Sequence, residues 1–390
     1  MKLYAFELGR EKALCLAELQ AMFGTKRQKL LTKDIAVFEA DLQSPIDIQN
    51  QLGGSIKTIE IIDSVSYQKP DFPSTQMKKI IEEDLLNTFS EHEGKVPFSI
   101  SIYDANRRHY PYIKDLLTFS KKILKSLKIN SRFVNQNFKN PKSSTLFKAK
   151  VLDKGVEFCV ILDQHEALIG KTVAIQNIDN YSKRDYNKPA RDAKVGMLPP
   201  KLSQIMINLA GPETKAIFDP FCGLGGILME AQLMNKKAYG SDIDPEMTAA
   251  SEANCQWTQE TFHTVPVEKI FTKDARFLSK GDVPGSIDAI VTETYLGPAL
   301  LSPPPVDVSE KIFRELANLH FNWLAKAKEI LPKGKKIVMC VAAHRTKSST
   351  RHLDDFEKIC KELNLAILNK FTYSRETQFV ARDIYVLENR

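Results

Sequence analysis

The sequence contains no run of apolar residues that approaches the ~20 needed to cross a membrane. The start of the chain turns acidic at Glu7, which is too early for a signal peptide. The six cysteines form no C-x-x-C pair, and the seven histidines form no ligand cluster. We therefore expect no membrane span, no metal site and no disulfide framework, and we expect a reducing, cytoplasmic location.

Positive charge is modest overall but concentrated in one stretch. The 390 residues, enough for two or three domains, carry a net charge of +7. Between residues 121 and 154 there are ten lysines and arginines against a single acid, Asp153. So uneven a run favours a surface that binds nucleic-acid phosphates over the alternative, an ordinary solvated helix face. The predicted RNA-binding residues are Lys121, Lys122, Lys125, Arg132, Lys142 and Lys148.

Helix and strand signals divide the chain into parts. Residues 1–70 and 71–172 each mix short strands with amphipathic helices, which predicts two α+β segments separated by a proline break at residues 69–73. Residues 173–190 are polar with few apolar positions, and we interpret them as a linker. In residues 191–390, helices alternate with strands. This alternation predicts a doubly wound, mostly parallel sheet with an antiparallel hairpin at its edge.

The most informative motif is a glycine turn at residues 219–226, Asp-Pro-Phe-Cys-Gly-Leu-Gly-Gly, between a predicted strand and a predicted helix. Glycine lets the backbone approach a ligand, and the helix N-terminus offers free N–H groups. The dinucleotide pattern Gly-x-Gly-x-x-Gly is broken, because Leu228 occupies its third glycine position. Asp219 would repel a pyrophosphate but attract the ammonium and sulfonium of S-adenosylmethionine. The predicted contacts of this cofactor in the turn are Asp219, Phe221, Cys222, Gly223 and Gly225.

Aspartates at later strand ends extend this site. Asp242, with Ile243 beside it, follows the turn by about 20 residues, where a carboxylate can bind both ribose hydroxyls. Asp244 precedes a proline and is predicted to cap a helix instead. Asp274, followed by Ala275, ends the next strand and can accept a hydrogen bond from the adenine amine. The alternative is that Asp274 caps a turn.

The fourth predicted strand runs into Thr292-Glu293-Thr294-Tyr295. An enzyme that methylates an exocyclic amine needs a hydrogen-bond acceptor for the amine and a flat surface for the base. Glu293 can be the acceptor and Tyr295 the stacking surface. The alternative is a loop with a packed tyrosine.

These elements resemble the THUMP-domain RNA guanosine-N2 methyltransferases, closest to the group that acts on tRNA guanosine 10. The glycine turn and the stretch Gly196-Met197-Leu198-Pro199-Pro200-Lys201 carry the resemblance most specifically. It implies a ferredoxin-like domain at residues 1–70, a THUMP domain at 71–172 that holds tRNA, and a methyltransferase domain at 191–390. The last would be a Rossmann-like class I domain with a seven-stranded sheet, and Met197 and Leu198 would contact S-adenosylmethionine. The resemblance also admits a small activator subunit, which this chain does not specify.

The chain departs from the family at its fourth motif, which is usually Asp-Pro-Pro-Tyr. Aligned from the left, Glu293 takes the place of the aspartate; aligned on the tyrosine, Thr292 does. The predicted catalytic residues are therefore Glu293, Tyr295 and Thr292. Two alternatives stay open: a methyltransferase acting on ribosomal RNA guanosine or on adenine N6, and a non-catalytic RNA-binding protein with a degenerate motif.

Overall fold

The computed structural model describes residues 1–67, 71–104, 109–191, 197–283, 285–347, 349–375 and 378–390. Their contacts separate two compact units, Met1–Ile178 and Asp179–Arg390. Two sequence features fall partly outside the described residues: the break at 69–73, at residues 69–70, and the stretch that begins at Gly196. In the described part, no helix is both long and apolar enough to span a bilayer.

One mixed sheet of eight strands organises the N-terminal unit, in the order β2-β3-β1-β4-β8-β7-β5-β6. Its strands are β1 (Lys2–Leu8), β2 (Gln28–Leu31), β3 (Ile35–Ala40), β4 (Ser55–Ser66), β5 (Val96–Tyr103), β6 (Ser131–Phe133), β7 (Val156–Leu162) and β8 (Glu166–Ile175). β5 runs parallel to β6 and β7, whereas the other neighbouring pairs are antiparallel. Because β4 pairs with β8, the two predicted α+β segments contribute strands to the same sheet.

The helices of the N-terminal unit bury apolar residues at helical spacing. In α3, Met77, Ile81 and Leu85 recur every four residues and are fully buried, as expected for an amphipathic helix on a sheet. The helices are α1 (Lys12–Phe23), α2 (Pro45–Gln51), α3 (Ser74–Phe89), α4 (Tyr110–Ser126), α5 (Ser143–Lys148) and α6 (Val151–Lys154).

A buried polar cluster ties the central strands of this sheet together. The ammonium of Lys57 on β4 donates to Glu157 on β7 at 3.1 Å and to the Tyr103 hydroxyl at 3.0 Å. The hydroxyl of Thr172, on the intervening strand β8, donates to the other oxygen of Glu157 at 2.6 Å. Although burial opposes the charged form, Glu157 and Glu7 raise the pKa of Lys57. The cluster therefore fixes the pairing of β4, β8 and β7 through fully partnered charges.

Residues 173–190 are more ordered than a polar linker would be. β8 continues to Ile175, and helix α7 spans Ile178–Tyr186. Tyr181 and Arg184 are buried, and the guanidinium of Arg184 lies 4.2 Å from the centre of the tyrosine ring. Arg184 Nε also donates to Glu230 at 2.7 Å. A count of apolar residues misses this segment because its buried contacts are made by an aromatic ring and an ion pair.

The C-terminal unit contains a second sheet in the order β11-β10-β9-β12-β13-β16-β15, with β14 paired to β13. Its strands are β9 (Ala216–Asp219), β10 (Lys237–Asp242), β11 (Lys269–Thr272), β12 (Ala289–Glu293), β13 (Lys336–Arg345), β14 (Thr350–Arg351), β15 (Leu365–Tyr373) and β16 (Val380–Asn389). The first five strands of the order are parallel, and β16 is antiparallel to both of its neighbours. This agrees with the predicted mostly parallel sheet and antiparallel edge hairpin.

After α7, the C-terminal unit contains five α-helices among the described residues. They are α8 (Pro200–Leu209), α9 (Gly226–Leu233), α10 (Pro245–Phe262), α11 (Val306–Ile330) and α12 (Phe356–Glu362). As the repeated βα pattern predicted, α9, α10 and α11 connect parallel strands, whereas α8 precedes β9 and α12 lies between β14 and β15. The strand order reverses between β9 and β12, which are neighbours in the sheet but not in the chain. In such sheets, ligands bind at the carboxyl ends of the strands at this reversal.

Candidate active site

The glycine turn follows β9 and leads into α9 at the reversal point of the sheet. Gly225 has left-handed backbone, with φ +79°, and a Cβ there would lie 2.5 Å from the hydroxyl of Ser251. Gly223 is also left-handed, with φ +49°, but a Cβ there would meet nothing within 4 Å. Its N–H donates to Oδ2 of Asp242 at 2.9 Å. Glycine is thus required by close packing at one position and by backbone conformation at both.

Asp219 ends β9 and is buried beneath the turn. Its Oδ1 accepts hydrogen bonds from the hydroxyl of Thr292 at 2.6 Å and from the N–H of Phe221 at 3.1 Å. Burial raises the pKa of Asp219 to about 8, and the carboxylates of Asp242 and Glu293 act in the same direction. A cation beside this group would favour its ionised form. The surroundings of Asp219 therefore suit a cationic ligand such as S-adenosylmethionine.

A cavity beside the turn is lined by predicted and unpredicted residues. The predicted ones are Met197, Leu198, Asp219, Phe221, Cys222, Gly223 and Glu293. The others are Lys188, Leu224, Gly226, Ile227 and Met247. Its walls combine apolar side chains with one cationic and two acidic groups. This mixture fits a ligand that has an apolar body and a zwitterionic end.

Asp242 connects the turn to the next loop. Besides accepting from Gly223, it accepts the N–H of Asp244 through Oδ1 at 3.1 Å. Asp244 in turn accepts the N–H of Glu246 at 2.8 Å and caps α10, so the predicted capping role is confirmed. Ile243 is 61% exposed at the same strand end. The ribose contact assigned to Asp242 stays a prediction.

Asp274 caps a short turn of 3₁₀ helix at Ala275–Phe277. It accepts the backbone N–H of Arg276 at 2.9 Å, and the Arg276 guanidinium donates to it at 2.6 Å. These hydrogen bonds hold the pKa of Asp274 below its usual value. Ala275 is buried behind it. The capping alternative thus describes the observed contacts, and the adenine contact stays a prediction.

Glu293 ends β12 and forms an ion pair that the sequence did not indicate. Arg382 on β16 donates from Nε to Oε1 of Glu293. The two strands lie on either side of β13, where Glu293 is in register with Cys340 and Arg382 with Ala342. The small, buried side chains of Cys340 and Ala342 leave room for the arginine to cross the face of β13. Burial raises the pKa of Glu293, and Arg382 opposes that rise.

The other residues of the fourth motif have different surroundings. Thr292 is fully buried and donates to Asp219, whereas Glu293 lines the cavity. This placement favours the alignment that puts Glu293 on the family's aspartate. Thr294 is buried and donates to the carbonyl oxygen of Cys340 at 2.7 Å. Tyr295 is 57% exposed, so it is not the packed tyrosine of the alternative interpretation.

The predicted RNA-binding side chains all lie in the N-terminal unit. The six residues are exposed: Lys121, Lys122, Lys125, Arg132, Lys142 and Lys148. The ammonium of Lys121 on α4 lies 5.8 Å from the ring of Phe133 on β6. Elements α4 and β6 thus present part of this basic surface together. Among the described residues, no group of three or more His, Cys, Asp and Glu side chains could hold a metal ion.

Sequence comparisons identify the family. Residues 184–364 match the family described as "RMKL-like, methyltransferase domain", and residues 55–253 match one described as "DNA methylase". The tRNA (guanine(10)-N2)-dimethyltransferase of Methanothermobacter thermautotrophicus is 36% identical over 129 residues, 33% of this chain and 35% of that protein. A protein of Methanothermococcus thermolithotrophicus named as a probable tRNA (guanine(10)-N2)-dimethyltransferase is 31% identical over 30% of this chain and 72% of that protein. The chain belongs to the tRNA guanine-N2 methyltransferase family.

Membership of this family confirms the recognition made from the motifs, and it confirms S-adenosylmethionine as the family's cofactor. The crystal structure of TrmN from Thermus thermophilus resembles the chain with a TM-score of 0.51 at 14% identity, over the full length of both chains. This likeness shows the α/β methyltransferase fold. The first relative is covered over only 35% of its own length.

Two residues of this family member's site were missed from the sequence. Lys188 lies in the segment predicted as a linker, and other basic residues lie close to it in the sequence, so nothing singled it out. Arg382 lies 89 residues beyond Glu293, on a strand predicted only as the edge of the sheet. The order β12-β13-β16 could have suggested that early residues of β16 approach the end of β12, but nothing in the local sequence marks Arg382.

Proposed function

We propose that this protein is an S-adenosylmethionine-dependent methyltransferase that modifies the exocyclic N2 amine of a guanosine in tRNA, at position 10. The observation that carries the proposal is that the glycine turn and Glu293 line one cavity. A cofactor site and a hydrogen-bond acceptor for an amine are thereby adjacent. The names of the relatives support tRNA guanosine 10 as the substrate.

The cofactor would lie against the turn and the apolar wall formed by Met197, Leu198 and Phe221. Asp219 would hold its cationic part, and Asp242 its ribose. When bound, S-adenosylmethionine supplies an electrophilic methyl group to a nitrogen, which loses one proton. Most of the protein's contribution would be positioning, which can supply ~7–11 kcal/mol of the barrier.

Glu293 would accept a hydrogen bond from the guanine N2 amine, and Tyr295 would stack on the extruded base. The ion pair with Arg382 supports this role for Glu293, because it favours an ionised carboxylate at the wall of the cavity. The exposure of Tyr295 supports the stacking role, since its ring can reach a ligand from outside. Thr292 would act through Asp219 and not on the base.

The N-terminal unit would hold tRNA as a ferredoxin-like segment followed by a THUMP module. Support comes from the six exposed basic side chains that we predicted as RNA contacts, since phosphate contacts by lysine and arginine dominate such binding. All six cysteines lie in the described part and are free thiols. Free thiols suit a reducing compartment, and we place the protein in the cytoplasm.

The experiment that tests this function is methyl transfer from labelled cofactor to bulk unmodified tRNA, followed by mapping of the product by mass spectrometry. We expect label on N2 of guanosine 10. Glu293→Ala and Glu293→Gln should lose at least ~10²-fold in turnover while binding the cofactor normally, because the acceptor acts on the amine and not on the cofactor. Glu310→Gln, an exposed change on α11, is the matched control. Full turnover by Glu293→Ala would refute the catalytic assignment.

A second candidate is adenine-N6 methylation of nucleic acid, which the match to a DNA methylase family favours. The same assay with DNA and ribosomal RNA as acceptors separates it, because the labelled base would then be adenine. Cofactor binding without transfer to any acceptor would instead indicate a non-catalytic RNA-binding protein.

A further inference from the structure

Lys188 is a buried lysine at the wall of the cavity that would hold the cofactor. It follows α7 and is only 6% exposed. It lines the cavity together with Asp219, Gly226 and Ile227. Within the described ranges, Lys188 makes no hydrogen bond or ion pair of its own, whereas the two acidic groups of the cavity each have a partner, Thr292 or Arg382. Burial of a lysine without such a partner is costly unless an anion joins it.

Two acidic residues, Asp185 and Glu230, are near enough to Lys188 to affect its pKa. Glu230, one turn into α9, has one carboxylate oxygen bound to Arg184 at 2.7 Å and the other buried without a hydrogen bond among the described residues. Burial lowers the pKa of Lys188, while Asp185 and Glu230 act to raise it. Burial also raises the pKa of Glu230 to about 7. Neither Asp185 nor Glu230 forms an ion pair with Lys188 among the described residues, so the ammonium has no carboxylate partner there.

The N-terminus of α9 adds a second source of positive potential at the same wall. Gly226 and Ile227 open this helix, and their N–H groups precede the first intrahelical acceptor bond, from Met229 to Gly225. Such N–H groups, with the helix dipole, favour an anion. A buried lysine, a helix N-terminus and Asp219 thus line the same cavity.

We propose that Lys188 and the N-terminus of α9 bind the carboxylate of the amino-acid end of S-adenosylmethionine, while Asp219, which lines the same cavity, takes the cationic groups. The inference rests on the proposed cofactor. The amino-acid end of the cofactor is a zwitterion, so its carboxylate would pair with Lys188 and its ammonium with Asp219. Lys188 is thereby a specificity determinant for the amino-acid end, and it makes no contact with the transferred methyl group.

Binding measurements with two product-like ligands test this assignment without relying on turnover. S-adenosylhomocysteine carries the carboxylate, whereas 5′-methylthioadenosine shares the adenosine and thioether but lacks the amino-acid end. We expect Lys188→Met to weaken S-adenosylhomocysteine by about 10–100-fold, as for a lost hydrogen bond to a charged group. Its affinity for 5′-methylthioadenosine should stay within about twofold of the wild-type value.

Further variants keep the test decisive. Lys188→Arg retains the charge and should recover much of the affinity for S-adenosylhomocysteine. If Lys188→Met does not fold, Lys188→Gln, which also removes the charge, takes its place in the comparison. Lys237→Met, at the opposite end of β10 with a side chain 66% exposed, is the matched control and should bind both ligands normally. Equal weakening of both ligands, or of neither, by Lys188→Met would overturn the inference. Failure of the wild-type protein to bind either ligand would instead refute the proposed function.

Discussion

Replacing Arg382 by glutamine should reduce stability, turnover and the usable pH range together. The guanidinium is 5% exposed and its partner Glu293 is 21% exposed. Breaking a fully buried ion pair costs about 3–5 kcal/mol, because the remaining charge stays buried without its partner. Since a fifth of the glutamate side chain reaches solvent, we expect the lower end, about 3 kcal/mol. For a unit of this size, that corresponds to a decrease in melting temperature of about 6–12 °C.

The same change should alter catalysis in a way that loss of stability alone does not. Arg382 opposes the rise in the pKa of Glu293 that burial causes, so its removal raises that pKa further. A protonated carboxyl no longer accepts a hydrogen bond from the amine as a carboxylate does. Activity of Arg382→Gln should therefore fall by about 100-fold near neutral pH, as expected for a misplaced catalytic group, and partly return as the pH rises.

The assay is initial-rate methyl transfer to tRNA between pH 6 and 9.5, with thermal melting and cofactor affinity measured on the same preparations. Arg382→Lys keeps the charge but loses the planar guanidinium. The pH at which its rate falls on the acid side should therefore lie between those of wild type and Arg382→Gln. Arg314→Gln, an exposed change on α11, is the control. In the double variant Glu293→Gln/Arg382→Gln, stability should partly return because neither charge is left unpaired. A wild-type rate and pH profile in a destabilised Arg382→Gln would refute the reasoning and leave the arginine a purely structural role.

Three more outcomes follow from other contacts. Affinity for S-adenosylmethionine, measured by calorimetry, should rise up to tenfold per pH unit until about pH 8 and then level off, because the pKa of Asp219 is raised to about 8 and only its ionised form attracts a cation. Asp219→Asn should give an affinity that does not change with pH, and the same result for the wild-type protein would contradict the prediction. Lys57→Met should lower the unfolding free energy of the N-terminal unit by about 3–5 kcal/mol in denaturant melts, since it leaves a buried glutamate unpaired, whereas the exposed Lys79→Met should be neutral. The double change Lys121→Glu/Lys125→Glu should weaken tRNA binding and make log affinity less steeply dependent on log salt. Lys79→Glu is the control. If the double variant had the same salt dependence as this control, Lys121 and Lys125 would not contact RNA.

Features set by neighbouring residues could be predicted from the sequence, and those set by distant strands could not. The turn from Asp219 to Gly226 could be predicted from its local sequence. The glycine spacing sets its backbone conformation, and one aspartate sets its charge. The cap at Asp244 was predicted correctly for the same reason. The partner of Glu293 depends instead on β16 lying beside β13, a pairing that no local pattern specifies. Helix α7 was missed because its buried residues are an aromatic and an arginine.

Asp274 shows a different limit, since two roles share one sequence signal. A strand-end aspartate can bind a ligand or cap a turn, and Asp274 caps one with the help of Arg276. A carboxylate has more acceptor positions than these bonds require, so the observed cap does not decide the ligand role. A binding comparison between adenosine and inosine analogues of the cofactor, with Asp274→Asn, would separate the two.

The departure from the family's fourth motif has a structural counterpart in the contacts after β12. Where relatives usually carry two prolines, which restrict the backbone, this chain has Thr294, whose hydroxyl donates to the carbonyl oxygen of Cys340 at 2.7 Å. The loop is thereby tied to β13 by a buried hydrogen bond in place of proline rings. Thr294→Val should then loosen the loop and lower turnover by about 10-fold with little change in cofactor affinity, since a lost buried hydrogen bond is worth roughly 1–3 kcal/mol. Thr294→Pro tests whether the hydrogen bond has the same function as the family's proline. If the hydrogen bond substitutes for proline stiffness, the proline variant should retain more activity than the valine variant; if it retains less, the motif of this chain has diverged in geometry as well as in sequence.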